Sequence, residues 1–346
     1  MDKIQNIRIN TNGGVVNRVP SKRVDFPNSN NLSSDAFYIK DIDKETEDRV
    51  RKNVENYKNL TLTELKKILK NKDSKVEFYR TFNAAVYNNF HDISKIIFES
   101  NSTSSPNFAI QNLDGKINTK FQIDDIEFVA NVKSINRIIE KMERKGKETL
   151  EEVNDVVRGR INCKDVNQAQ KILEILKEKL GSQNKEIIEV DDMINNPRPD
   201  YMGRIHLTIK DKETGVNFEL QIGSKNITDF IERPININYG TRESFSNDGR
   251  SLLIEEDVFK SNYHDLIYKA AKKLEKDSKY EKIKPEFQKI YEKYVDIQRK
   301  IFESEKEGTF QKNKNDIDKS IRELDNLLIN TFSKIPKEDV IKAIES

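Results

Sequence analysis

Three strand-like segments in the middle of the chain, at residues 157–163, 204–209 and 216–222, alternate apolar with charged or amide side chains. Successive side chains of a strand point to opposite faces, so the polar members are expected on one side of one sheet. The four that carry the chemistry are Arg160, His206, Glu219 and Gln221. Alternation alone fits an ordinary solvated face equally well. Converging cations, an imidazole and a carboxylate instead indicate a site for phosphate and a metal ion.

A second group of candidates surrounds Lys133 and Ser134, which follow an earlier strand and begin a helix. Ser134 is expected to cap this helix, whose basic side includes Lys141 and Arg144. A helix N-terminus favours anions, and a lysine beside it can hold phosphate as a point charge. Taken alone, however, Lys133 and Ser134 also fit an ordinary surface lysine beside an N-cap serine.

Asp155 precedes the first of the alternating strands and is a candidate metal ligand when paired with Glu219. Mg²⁺ takes one or two carboxylates together with substrate phosphates. Alone, Asp155 is an ordinary turn residue, and His206 is more often a hydrogen-bonded structural histidine. The chain has 3 histidines, too few for a His-rich metal site, so His91 and His264 are interpreted as helix residues.

Length and composition set the class of protein. The chain has 346 residues, room for about two domains, and its mean hydropathy is −0.79. The net charge of +2 excludes a bulk polycation, so any nucleic-acid contact must come from local patches. The single Cys163 alternates with the polar residues of its strand and is expected to be a buried thiol.

Targeting signals are lacking in the sequence. No apolar run approaches the length of a membrane span, and the N-terminus has no signal-peptide core. A cytoplasmic location without membrane association is therefore the default expectation. Export as an effector by a route without a cleavable signal is left open.

Hydrophobic periodicity divides the chain into four segments. Residues 1–36 are rich in Asn, Ser, Gly and Pro and predict a flexible arm. Residues 37–119 are interpreted as helical, residues 120–240 as the sheet-containing domain, and residues 241–346 as a helical region. Within them, Thr61 and Glu64 predict a capping box, Phe121 to Val132 a strand region, and Gly146 the end of the helix that Ser134 begins. Asp92, beside His91, is interpreted as an ordinary helix residue. The expected fold class is α+β, with a mixed sheet of about five strands flanked by helices and extended by helices at both ends.

Five segments, in order and approximate spacing, resemble the synthetase domain of the RelA/SpoT family of alarmone synthetases. They are Val132–Ser134, Asn154–Ile161, Glu189–Pro199, Tyr201–Leu207 and Glu219–Ile222. The resemblance extends from about residue 126 to residue 233, about a third of the chain. The resemblance implies a mixed sheet flanked by helices, and transfer of the β,γ-pyrophosphate of ATP to a 3′-hydroxyl, usually of GDP or GTP.

The same resemblance implies roles for individual residues. Asp155 would hold Mg²⁺, and Glu219 would assist it or act as general base on the acceptor hydroxyl. Residues implied to bind the ATP phosphates are Lys133, Lys141, Arg144 and Arg160. Tyr201 would stack on the acceptor base, and His206 and Gln221 would contact the acceptor. Further candidate substrate-binding residues are Ser134, Arg158 and Arg204.

Two functional hypotheses follow from these residues and the resemblance. The first is a Mg²⁺-dependent pyrophosphokinase that uses ATP and a nucleotide or RNA 3′ end, such as that of transfer RNA, with a toxin or effector role open. The second is a degenerate domain that binds a nucleotide or RNA, or serves as a protein-interaction module. A weaker idea is that the C-terminal helices bind a neutralising or regulatory protein.

Overall fold

The protein is described by a computed structural model that covers residues 36–38, 52–99, 109–113, 116–123, 126–199, 201–245 and 251–345. The predicted flexible arm lies outside these residues except for Ala36. The described residues form two compact units. The first draws on Met1–Lys164, Gln168–Asp192 and Arg204–Gly223, and the second on Asp165–Asn167, Met193–Gly203 and Ser224–Ser346.

The first unit contains the mixed sheet that the sequence predicts. Its central strands, in spatial order, are β4 (Ile126–Val132), β5 (Val157–Cys163), β8 (Asn217–Ser224), β7 (Arg204–Asp211) and β6 (Lys185–Asp192). The pairs β4–β5, β7–β8 and β6–β7 are antiparallel. The Asn217 amide donates a hydrogen bond to Asn154 Oδ1 over 3.2 Å. This contact brings the beginnings of β5 and β8 together, so these neighbours run parallel. The predicted α+β class is confirmed.

The described sheet extends beyond these five strands. On the β4 side it continues through β3 (Lys116–Ile123), β2 (Ala109–Leu113) and β1 (Ala36–Tyr38), all antiparallel. The segment 37–119 is therefore not uniformly helical, and the single strand region expected at 121–132 is two strands. In the sequence, the dipeptide between β2 and β3 is Asp114-Gly115, which is typical of hairpin turns and predicts two antiparallel strands here.

Helix α3 (Lys72–Glu99) packs against the apolar face of this sheet. The other helices of this part of the chain are α1 (52–58), α2 (Leu62–Lys70), α4 (Ile135–Lys145) and α5 (Val166–Lys179), with 3₁₀ turns at Leu150–Glu152 and Leu180–Gln183. The predicted capping box of Thr61 and Glu64 begins α2. The ring of Phe90 on α3 lies 6.2 Å from that of Phe128 and 5.6 Å from that of Phe218. Cys163 is buried, as expected.

The second unit is mostly helical, but it contains a strand hairpin. Its elements are α6 (Lys225–Ile231), β9 (Pro234–Phe245), β10 (Ser251–Asn262), a π-helix (His264–Ala271), α7 (Lys272–Leu274), a 3₁₀ turn (Ser278–Ile283), α8 (Lys284–Lys306), α9 (Phe310–Phe332) and α10 (Lys337–Glu345). Segment 241–346 was expected to be a helical region, whereas β10 and the end of β9 lie within it. Among the described helices, none is long and apolar enough to cross a membrane.

Glu305, near the end of α8, is a buried carboxylate in the second unit. It accepts hydrogen bonds from Ser224 Oγ at 2.5 Å, Asn226 Nδ2 at 2.7 Å and the backbone N–H of Val166 at 3.2 Å. It therefore joins the first turns of α5 and α6 to α8. Burial raises the pKa of the Glu305 carboxyl to about 7, although these hydrogen bonds oppose the rise.

Any side chain larger than hydrogen at residue 159 is expected to disturb the packing of Phe90 against the sheet. A Cβ at this position would lie 2.2 Å from the Phe90 ring, which is itself fixed against two other rings. Gly159→Ala should lower the free energy of unfolding by about 1–3 kcal/mol, because the ring has little room to retreat. Urea denaturation measures the change. Gly181→Ala is the matched control, since nothing lies within 4 Å of its Cβ position; equal losses in both variants would contradict the packing argument.

Glu305 predicts a pH-dependent contribution to stability. Its folded pKa of about 7 exceeds the ordinary 4.5, so the folded state holds the proton more tightly than the unfolded state. Its contribution to stability therefore falls as pH rises from about 4.5 to 7, by at most about 3 kcal/mol. Glu305→Gln should abolish that part of the pH dependence in urea denaturation between pH 5 and pH 8. Parallel pH profiles for the two proteins would count against it.

Candidate functional site

The packing of α3 fixes which side of the sheet is polar. Phe128 and Phe218 both contact Phe90, so the side chains that alternate with them on β4 and β8 lie on the opposite face. Arg160 pairs with Val129 of β4, which places it on that opposite face together with Glu219. Four predicted site residues therefore share this face, hereafter the polar face: Arg160, His206, Glu219 and Gln221.

Two rows of side chains cross β6, β7 and β8 on the polar face. In one row Glu219 is opposite Thr208, which is opposite Glu189; in the next row Gln221, His206 and Asp191 are aligned. The first row is joined by a hydrogen bond from Thr208 Oγ1 to Glu189 Oε2 at 3.2 Å. Gln221 Nε2 donates to Glu219 Oε1 at 2.7 Å and so links the two rows.

Glu189 and Asp191 were not singled out from the sequence as polar-face residues. A register shift between Ile187 and Glu189 interrupts the alternation of β6, so its parity cannot be read from residue types alone. Their resemblance to a family segment was noted, but their alignment with Thr208 and His206 comes from strand pairing.

Asp155 lies between two lysines at the beginning of β5. Its Oδ2 is 2.6 Å from Lys133 Nζ, and its Oδ1 is 2.8 Å from Lys141 Nζ. The backbone N–H of Lys133 donates to Val156 O at 2.8 Å, which holds the end of β4 beside this turn. The side chains of Lys133 and Asp155 are only 14% and 12% exposed, so this pairing is shielded from bulk water.

The two lysines decide the charge state of Asp155. Burial alone would raise the pKa of its carboxyl, but hydrogen bonds and charge from Lys133 and Lys141 outweigh burial and hold that pKa below its usual value. Asp155 is therefore ionised at neutral pH. The cluster of two ammonium groups and one carboxylate keeps a net positive charge, which suits an anionic ligand.

Two further cations extend this positive region. Arg158 Nε donates to Asn131 Oδ1 at 2.8 Å, which fixes the guanidinium at the β4–β5 pair. Arg144 is exposed and lies three residues after Lys141 on α4, so the two share one side of the helix. Both add positive charge to this part of the first unit.

Ser134 does not cap α4 with its side chain, contrary to expectation. It occupies the N-cap position, yet its hydroxyl makes no capping hydrogen bond. The backbone N–H of Ile135 instead donates to the hydroxyl of Tyr79 on α3, at 3.1 Å. The buried Tyr79 thus satisfies the first backbone N–H of α4. Sequence spacing could not reveal this contact, because Tyr79 lies 56 positions before Ile135. Gly146 ends the helix in a left-handed conformation, as predicted.

The remaining predicted residues are divided between the units. Arg204 is buried at the beginning of β7 in the first unit and pairs with Gly223. Tyr201 belongs to the second unit, where its side chain is 40% exposed. Its backbone exchanges two hydrogen bonds with Arg198, at 3.0 and 3.2 Å, which hold the tyrosine in a tight turn.

The donor chemistry of the first unit is compatible with Mg²⁺. Among the described residues no group of three or more His, Cys, Asp or Glu is arranged to hold a metal ion. Mg²⁺ does not require such a group, because it keeps several waters and is bound through one or two carboxylates plus phosphates. Asp155 and Glu219 supply hard oxygen ligands of that kind.

Comparison with known proteins agrees with this geometry. A family model described as "Region found in RelA / SpoT proteins" matches residues 130–243, from β4 into β9. No curated protein matches the chain. The matched segment contains Lys133, Lys141, Asp155 and the polar face, and it is a RelA/SpoT-family synthetase domain. Domains of this family imply pyrophosphotransfer in general, and their synthetases generally depend on Mg²⁺.

The lysine-bridged carboxylate predicts strong coupling between its members. Asp155→Asn should lower the free energy of unfolding at pH 7 by about 1–3 kcal/mol, because two shielded ammonium groups lose their counter-charge. Lys133→Met should have a similar cost. The double variant should lose less than the sum of the two, since the second change removes a charge that the first left unpaired.

Urea denaturation of the four proteins in this cycle provides the measurement. As a control, the same cycle on the exposed pair Lys177 and Glu174 should give a coupling of no more than about 0.5 kcal/mol. Additive losses at Lys133 and Asp155 would mean that the ion pair contributes little to folding.

Proposed function

We propose that the RelA/SpoT domain of this protein is a Mg²⁺-dependent pyrophosphokinase. It would transfer the β,γ-pyrophosphate of ATP to the 3′-hydroxyl of GDP, GTP or another purine nucleotide, or of an RNA 3′ end. The observation that carries this proposal is the pair of lysines around Asp155 at the junction of β4, α4 and β5. Pyrophosphoryl transfer needs charge neutralisation and alignment more than covalent chemistry.

The ATP phosphates would be bound by the cations of this cluster. Lys133 and Lys141 carry two point charges at fixed positions, and the guanidiniums of Arg144 and Arg160 add donors that bind phosphate oxygens in pairs. The Asp155 carboxylate pairs with both lysines and offsets part of their charge. Arrival of the phosphates would give these lysines a new counter-charge and leave the carboxylate for the metal.

Mg²⁺ would be held by Asp155, with Glu219 as the second carboxylate. The ion would supply charge stabilisation at the transferred group and orient the phosphates. Glu219 has a second possible role in the same reaction, as general base on the acceptor hydroxyl, with Gln221 fixing the orientation of its carboxylate. His206 and Gln221, aligned in one row, would contact the acceptor, and Tyr201 would stack on its base.

One observation favours a second candidate function. Both oxygens of Asp155 already have lysine partners, which is also how a structural ion pair is built. On that view the domain binds a nucleotide or RNA without catalysis, or serves as an interaction module. Growth inhibition as a toxin or effector, and binding of a neutralising protein by the helical regions, are further proposals that rest on the first function.

A transfer assay separates the two candidates. Purified protein, Mg²⁺ and γ-labelled ATP are incubated with GDP, GTP, ATP or total transfer RNA, and the label is followed on the acceptor. The wild type should label one acceptor class. Asp155→Asn and Glu219→Gln should each reduce the rate by at least about 100-fold, because each removes a negative charge that holds the metal.

Glu174→Gln on α5 is the matched control, since it removes an exposed carboxylate paired with Lys177 and should transfer at the wild-type rate. Wild-type rates in both site variants would contradict the roles of Asp155 and Glu219. Folded wild-type protein that labels no acceptor, yet binds ATP, would support the degenerate module instead.

A further inference from the structure

Unit 2 carries a row of aromatic rings that no part of the proposed ATP site uses. The ring of Tyr268 lies 6.1 Å from that of Tyr201 at 38°, and 5.6 Å from that of His264 at 30°. These two tilts are closer to parallel stacking than to edge-to-face packing. Tyr268 is thus the middle member of a row of three rings.

Two cations accompany these rings. Lys272 Nζ lies 4.6 Å from the centre of the Tyr268 ring and 5.3 Å from that of Tyr291. The Arg198 guanidinium lies 6.0 Å from the centre of the Tyr201 ring. The set Arg198, Tyr201, His264, Tyr268, Lys272 and Tyr291 is called the aromatic–basic surface below.

The backbone that presents this surface is unusual. His264, Tyr268 and Lys272 are spaced by four residues, and the first two lie in a π-helix of 8 residues, His264–Ala271. π-Helical backbone is rare and is frequent at functional sites. Its wider turn keeps residues four apart nearly in line, so the two rings and the ammonium group follow one another along one side.

The aromatic–basic surface is partly exposed to solvent, and the negative charge of the neighbouring Asp265 is offset by a lysine. Tyr201 is 40% exposed, and the side chain of His264 is 42% exposed. Tyr268 is half-buried, and its ring meets the buried Tyr294 edge-on at 5.5 Å, which anchors it. Asp265, the carboxylate within the π-helix, pairs with Lys269 at 2.6 Å.

We propose that the aromatic–basic surface binds single-stranded nucleic acid. Bases would stack on the two exposed rings, Tyr201 and His264, which Tyr268 supports from between them. Lys272 and Arg198 would meet phosphates of the same strand. Stacking rings beside cations are the combination by which proteins hold unpaired strands. One base needs one ring, so two exposed rings fit a strand better than a mononucleotide. Tyr201 is shared with the proposed acceptor contacts, but binding at this surface does not rest on the proposed function.

Binding is tested by fluorescence anisotropy of the full chain with labelled RNA and DNA single strands of one sequence, with the RNA duplex as competitor. Single strands should bind more tightly than the duplex, and the RNA and DNA arms distinguish the two sources of the same chemistry. Tyr268→Ala should weaken binding roughly 5- to 150-fold, the range that one stacked base supplies, because it removes the ring that supports Tyr201 and His264. Tyr268→Phe should bind like the wild type.

Lys272 gives an independent test that leaves every ring in place. Lys272→Ala should lower the slope of log affinity against log salt by about 0.7, the value for one phosphate contact on a single strand. Tyr268→Ala should leave that slope unchanged. Lys273→Ala, an exposed neighbour with the same change in charge, is the matched control and should retain the wild-type slope.

The outcomes separate this inference from the proposed function. Transfer of label to GDP by a protein that binds no single strand would overturn the surface and leave the pyrophosphokinase standing. Strand binding that depends on Tyr268 and Lys272, without transfer to any acceptor, would support the surface and reject the enzyme. Duplex binding as tight as single-strand binding, or equal loss in Lys272→Ala and Lys273→Ala, would also overturn the surface.

Discussion

The contact of Phe90 with the sheet at Gly159 fixes the chemistry of the first unit. A strand that slips by one residue exchanges its two faces, so the buried face specifies the register of the polar one. Phe90 fills the space that a side chain at residue 159 would occupy and touches Phe128 and Phe218. Because this face is buried, Arg158 and Arg160 of β5 and Glu219 of β8 must lie on the opposite, polar face.

The same face tolerates few alternatives at its edge. Lys185, at the beginning of β6, is buried and pairs with Asp92 of α3. Removing one partner of such a buried pair leaves an uncompensated charge, which destabilises the fold more than replacing both partners with apolar residues does. The pair therefore ties the edge strand to the helix that covers the sheet. Asp92 was interpreted from the sequence as an ordinary helix residue, and its partner lies 93 positions away.

The sequence predicted what depends on local pattern. The alternation of apolar and polar residues gave the central strands, and spacing gave the capping box at Thr61 and the end of α4 at Gly146. It did not predict features that depend on distant partners. The first N–H of α4 donates to Tyr79 of α3, and both oxygens of Asp155 are engaged by lysines from the end of β4 and from α4.

The π-helix illustrates the limit more clearly. Its residues satisfy ordinary helical spacing, so the sequence indicated a helix and gave no reason to expect a wider turn. His264 was interpreted as a helix residue, which the structure confirms. The sequence did not indicate that its ring stacks on Tyr268. The near-parallel arrangement with Tyr201 joins residues 67 positions apart, which no window of local periodicity covers.

The lysine pair also has a consequence for how metal and nucleotide would bind under the proposed function. While Lys133 and Lys141 hold both oxygens of Asp155, phosphate alone must compete with a carboxylate, and Mg²⁺ alone must compete with two ammonium groups. Phosphate that takes the lysines frees the carboxylate, and a metal that takes the carboxylate frees the lysines. Binding of either ligand would thus lower the free-energy cost of binding the other. Thermodynamic linkage requires this effect to be equal in both directions. Under the proposed function the cluster would accordingly favour the metal–nucleotide complex over either component, because only the complex supplies both counter-charges at once.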